Sequence, residues 1–81
     1  MTLEQAVKGQ RVLILDVEEN SMRAQAMRLG IYEGAEFICT EKIKGGPVIL
    51  CGQGGETAVG KRLSQKIRIE LAQDKDRGMD R

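Results

Sequence analysis

The sequence contains no histidine. That removes the side chain that most often serves as a general base near neutral pH, and the commonest metal ligand. Tryptophan is missing as well, and Tyr32 and Phe37 are the only aromatic residues. A core built from this chain is therefore aliphatic, and it offers no aromatic platform on which nucleic-acid bases could stack. Neither sign of charge is in surplus: 13 Lys and Arg stand against 12 Asp and Glu, for a net charge of +1. Nucleic-acid modules usually carry a basic face, so this balance argues against nucleic acid as a partner. No run approaches the ~18 apolar residues of a membrane-spanning helix, so the chain is predicted not to be membrane-embedded. The opening Met1-Thr2-Leu3-Glu4 has neither the basic nor the apolar region of a signal peptide. Two cysteines make no disulfide framework. These absences predict a cytoplasmic protein.

What remains is enough for one domain of 81 residues. A chain this short buries a modest fraction of its surface and does not easily enclose a deep catalytic pocket. Ser21 and Ser64 have no histidine to activate them, and Lys61 near Ser64 forms no recognisable dyad. The chain is therefore predicted to bind rather than to catalyse. The folded domain is placed at residues 1–71, with 72–81 as a charged flexible tail.

Branched apolar residues from Arg11 to Val17 predict a first strand, with Val12, Ile14 and Asp16 alternating against Leu13, Leu15 and Val17. A short helical turn precedes it at Leu3–Val7. After a polar turn, Asn20 or Ser21 is the expected N-cap of a helix. Met22, Ala26 and Leu29 give that helix one apolar face, and Gly30 supplies its C′ residue. Ala35–Ile43 predicts a second strand, with Phe37, Cys39 and Glu41 on one face and Ile38, Thr40 and Lys42 on the other. Lys44-Gly45-Gly46-Pro47 is the strongest turn in the chain. Short strands follow at Val48–Cys51 and Glu56–Val59, then a turn or single helical turn, then a last strand at Lys66–Leu71. Five short strands between glycine turns predict a mainly β fold, a small barrel whose closure removes exposed edges.

The run Arg28-Leu29-Gly30-Ile31, then Glu33-Gly34, then Gly45-Gly46-Pro47, then Ala58-Val59-Gly60-Lys61 with Leu63, Ile67 and Ile69, resembles the ferrous iron transport protein A (FeoA) family. The resemblance covers roughly residues 1–71. It implies a five-stranded SH3-like barrel with one short helix inserted after the first strand. It also implies a small cytoplasmic accessory of bacterial ferrous iron uptake, acting by protein–protein interaction on the cytoplasmic part of a membrane permease that carries a G domain. No enzymatic activity comes with the family. The same module resembles the C-terminal domain of iron-dependent repressors, and this makes a metal-responsive regulatory module the alternative expectation.

Candidate site residues follow from both lines. Ile43, Gly45, Gly46 and Pro47 form a loop on a rigid scaffold, where contacts to partners are often carried. Met27 falls at the edge of the helix's apolar stripe, and methionine adapts readily to a partner surface. If Lys44, Gly45 and Gly46 make the hairpin loop, Ile43 faces Pro47 and, counting outward, Cys39 faces Cys51. Directly opposed residues have Cβ atoms about 4.5–5.5 Å apart. Two thiolates so placed could hold one transition metal, Fe2+ or Zn2+, between two copies of the chain. Each cysteine reads in the first place as a small hydrophobe of the barrel wall, with the metal site as the weaker alternative. Glu18-Glu19 and the tail residues Asp74, Asp76 and Asp80 do not converge as hard-metal ligands must, and read as solvated surface. An exposed strand edge would invite a homo-oligomer.

Overall fold

In the computed structural model, residues 1–72 are described; the expected tail and Asp74, Asp76 and Asp80 lie outside the described residues. After a short 3-10 turn at Leu3–Gln5 come β1 (Arg11–Val17), α1 (Asn20–Arg28), β2 (Glu36–Lys42), β3 (Val48–Gly52), β4 (Gly55–Val59), α2 (Lys61–Ser64) and β5 (Ile67–Leu71). The strands form one antiparallel sheet in the order β4-β3-β2-β1-β5. One face of the sheet and the short helices enclose the core, which includes Leu3, Ile14, Ile31, Leu50, Ile67 and Ile69. All of these are aliphatic, as the near absence of aromatics requires.

The expected closure of the barrel does not occur. No ladder joins β4 to β5, so both are edges of the sheet. Part of β5's outer edge is taken by the N-terminus: Ile69 N–H donates to Met1 O at 2.8 Å, and Thr2 bridges Arg68. That pairing occupies groups a β4–β5 ladder would have used.

Two β-bulges alter the strand faces expected from simple alternation. In β1 the register against β5 slips between Ile14 and Asp16, so Val17 joins Val12 and Ile14 in the core. Asp16 turns outward to pair with Arg68. In β2 the register against β3 slips between Cys39 and Glu41. Lys42, rather than Glu41, then stands on the core side opposite buried Val48. Its ammonium escapes the apolar interior by donating to the Glu4 carbonyl, so that the charge is satisfied while only the aliphatic stem faces the core side. An extra residue in one strand is the geometric cause in both cases, because strict alternation cannot survive an unpaired position.

Helix α1 begins earlier than expected, by one residue relative to Asn20 and two relative to Ser21, with Glu19 as its N-cap. The Asn20 side chain does not cap, because its Oδ1 accepts from the Arg23 guanidinium at 2.6 Å. The C-terminus forms as expected. Gly30 takes φ +83°, its N–H donates to Met27 O at 3.0 Å, and Ile31 N–H donates to Ala26 O at 2.9 Å. This pair of bonds satisfies carbonyls the helix would otherwise leave open and returns the chain to the core at Ile31. Of the apolar stripe, only Ala26 is fully buried; Met22 packs against the core's margin and Leu29 is 37% exposed.

Candidate functional site

Helix α1 stands above the sheet and leaves a depression along each flank. On one flank Met27 and Tyr32 project beside Val17 and Ile31 and frame a cleft of about 310 Å³. Met27 is 61% exposed and Tyr32 56%, far more than apolar groups of their size need be in so small a domain. Arg23 lines the cleft and donates to Asn20 Oδ1 and to Val17 O, the latter 3.0 Å from its Nη2. Asp16 lines the same cleft and accepts two hydrogen bonds from Arg68, at 2.9 and 2.5 Å. The Arg68 hydrogen bond lowers the Asp16 carboxyl below its ordinary value of 3.8, and the same pairing raises the Arg68 guanidinium.

The opposite flank faces the corner between β4 and α2. Met22, Leu29 and Leu63 supply an apolar lining, and Arg28, Lys61 and Arg62 place three cations around it. Thr57 Oγ1 reaches Leu29 O at 3.4 Å and ties the end of α1 to β4.

The β2–β3 loop lies elsewhere. Gly46 N–H donates to Ile43 O at 2.8 Å and Ile43 N–H to Pro47 O at 3.1 Å, which closes a tight turn with Gly45 at φ +72°. A Cβ on Gly46 would lie 3.1 Å from Ile43 Cγ2, so the glycine lets the isoleucine fold back over the turn. Ile43 is nonetheless 47% exposed. The cleft beside Met27 includes none of Ile43, Gly45, Gly46 and Pro47, so these candidates form two separate surfaces.

The cysteines are also kept apart. The hairpin starts as counted, with Lys42 opposite Val48, but the bulge shifts everything beyond it by one residue. Cys39 therefore faces Leu50, and Cys51 faces Ile38. Opposed residues share a face, so the two thiols point to opposite sides of the sheet. Cys39 is fully buried, and burial pushes its thiol above the ordinary range; its Sγ lies 3.6 Å from Glu41 O. Cys51 is half-buried on the outer face. No group of three or more potential metal ligands gathers among the described residues. The donor set does not fit a transition-metal site, which wants about four converging N or S ligands. Residue patterns did not single out Tyr32 or the Arg28, Lys61 and Arg62 cluster. Each charge is visible in the sequence, but they come together only because α1 packs beside the β4–α2 corner.

Comparison with solved structures places this architecture among known proteins. The crystal structure of the iron uptake regulatory protein FeoA matches with a TM-score of 0.81 and 20% identity, over 89% of this chain and 97% of that one. A FeoA-like protein from Clostridium acetobutylicum matches at 0.80 and 22%, over 91% of this chain and 88% of that one. ScaR with bound Zn2+ matches at 0.79 and 19%, covering 89% of this chain but 37% of the ScaR chain. The mainly β, SH3-like fold expected from the sequence is the one these structures share, with the sheet left open here. Comparison with curated proteins gave no match. The family model of the FeoA domain matches residues 1–71, and the chain belongs to that family.

Proposed function

We propose that this protein is a cytoplasmic, non-enzymatic accessory of ferrous iron uptake that binds the cytoplasmic part of a G-domain-carrying iron permease. The observation that carries this reading is the FeoA domain match over residues 1–71. The likeness to a FeoA described as an iron uptake regulatory protein supports it. So do the apolar side chains left outside the core, Met27 and Tyr32 on one surface and Ile43 on another. Binding energy in protein interfaces concentrates in a few such residues.

Binding is measured by titrating the full chain against the purified permease with GDP and with a non-hydrolysable GTP analogue. Saturable binding in at least one nucleotide state is expected. Met27→Glu or Ile43→Glu should weaken it about tenfold or more, the effect of losing one interface anchor. A folded chain that binds in neither state contradicts the proposal.

A metal-responsive regulatory module is the second reading, favoured by the shared fold of ScaR, which was solved with Zn2+ and Cd2+. Cys39 and Cys51 do not support it as a pair. Cys39 is sealed in the core and cannot meet a ligand from a second copy. Equilibrium dialysis with Fe2+ and Zn2+ separates the two readings, since only the second requires stoichiometric metal.

A further inference from the structure

We propose that the flank between α1 and the β4–α2 corner is a docking site for an extended acidic peptide segment, which adds to the free edge of β4 as a sixth strand. Among the described residues, strand β4 ends the sheet. Gly52 and Gly55 pair across the two-residue connection Gln53-Gly54. Opposed residues of an antiparallel ladder alternate between hydrogen-bonded and non-bonded pairs, and a two-residue turn is flanked by a bonded one. Gly55, Thr57 and Val59 therefore bond to β3, while Glu56 and Ala58 turn their N–H and C=O outward. Neither makes a further backbone hydrogen bond among the described residues, and both are exposed. The other edge differs, because Met1 and Thr2 cover part of β5. An unpaired edge of this kind is a template for an added strand.

The surroundings of the edge select the occupant. A groove of about 670 Å³ opens beside Ala58, lined by Met22, Leu29 and Leu63 and carrying Arg28, Lys61 and Arg62. None of these three cations joins an ion pair among the described residues, whereas Lys8, Arg11, Lys66 and Arg68 each do. An edge strand calls for an extended backbone, the apolar lining for aliphatic side chains, and the cations for carboxylates. A second copy would bring the same three cations against the first set. Residues 73–81 carry Asp74, Asp76 and Asp80 against Lys75, Arg77 and Arg81, so they bring no surplus of negative charge. A nucleic acid would meet the cations but leave the strand edge unpaired, and no aromatic residue lines the groove for base stacking. The site is independent of the permease reading, because it is defined by peptide chemistry alone.

The test uses the full-length 15N-labelled chain and a blocked peptide of alternating valine and glutamate, with a valine–lysine peptide as control. Saturable amide shifts at Glu56, Ala58 and Lys61–Leu63 are expected, weakening as salt rises and about tenfold weaker or more for the lysine peptide. The double variant Arg28→Glu, Arg62→Glu should reduce affinity for the glutamate peptide by a similar factor. Ala58→Pro removes an outward N–H without taking a bond from the ladder. It should abolish the shifts at the edge, and the charge variant decides the matter if Ala58→Pro does not fold. No saturable shift at millimolar peptide, equal binding of the two peptides, or indifference to the charge variant overturns the proposal. Self-association through the same amides without peptide, or tighter binding of a single-stranded oligonucleotide, overturns it equally.

Discussion

A thiol reacts as its thiolate, so burial slows it twice, by blocking access and by disfavouring the charged form. Cys39 suffers both effects, whereas Cys51 is only half-buried and open to reagent. Iodoacetamide at neutral pH should therefore alkylate Cys51 in the native protein and reach Cys39 only after denaturant is added, as mass spectrometry of digests would show. Cys39→Ser should cost roughly 1–3 kcal/mol in urea unfolding, because it buries a hydroxyl among apolar neighbours. Cys51→Ser should stay within about 0.5 kcal/mol, as an outer-face change. A fast-reacting Cys39 would mean the bulge is misplaced. Glycines divide in the same way. A Cβ on Gly52 would lie 2.7 Å from Phe37 Cδ2, whereas one on Gly54 would meet nothing within 4 Å. Gly52→Ala should thus destabilise by about 1–3 kcal/mol through overpacking. Gly54→Ala should be neutral or stabilise by up to about 1 kcal/mol, because it restricts the unfolded chain. Equal effects of the two substitutions would remove the Phe37 contact as the cause.

Element by element, the chain is legible wherever local chemistry dictates the outcome. Gly30 ends α1 because only a residue without Cβ accepts φ +83° cheaply, and the turn at Lys44–Gly46 forms for a similar reason. The bulges are not legible in this way. An extra residue in a strand leaves no composition signal, and each shifts every side chain beyond it to the other face. For β1 a hint existed, since regular alternation would have put Asp16 in the core beside Val12 and Ile14. The bulge instead gives Asp16 a partner on β5, and this ion pair carries a pH dependence. Arg68 holds the Asp16 carboxyl below 3.8, so the folded state binds that proton less tightly than the unfolded state. The pair's stabilisation is complete above 3.8 and fades as pH falls through the lower folded value. Asp16→Asn should be less stable than the parent near neutral pH, and the gap should narrow in acid as the parent's own carboxylate is protonated. Melting temperatures across pH measure that gap; one that widens in acid contradicts the pairing. The effect is expected to be small, because the pair is solvated.

At the scale of the whole molecule, the succession of five strands along the chain and the inserted helix followed from turns and periodicity, while their order in the sheet and its failure to close did not. Whether a five-stranded sheet meets itself depends on what its two last edges touch, and here Met1 and Thr2 reach β5 first. The same blindness hid the groove beside β4, since Arg28, Lys61 and Arg62 come from segments far apart in sequence. Amide hydrogen exchange tests the open architecture directly. Ile14 N–H bonds to Ala35 O at 2.9 Å and Cys39 N–H to Gln10 O at 2.8 Å, so both should exchange only with global unfolding. Along β4, Thr57 and Val59 should be protected by β3, whereas Glu56 and Ala58 between them should exchange at nearly unprotected rates. A closed barrel predicts the opposite for those two, because a β4–β5 ladder would engage the same N–H groups that an open edge leaves to water. Protection that alternates along β4 is thus the signature of the free edge, and uniform protection along it would close the sheet and withdraw the site proposed there.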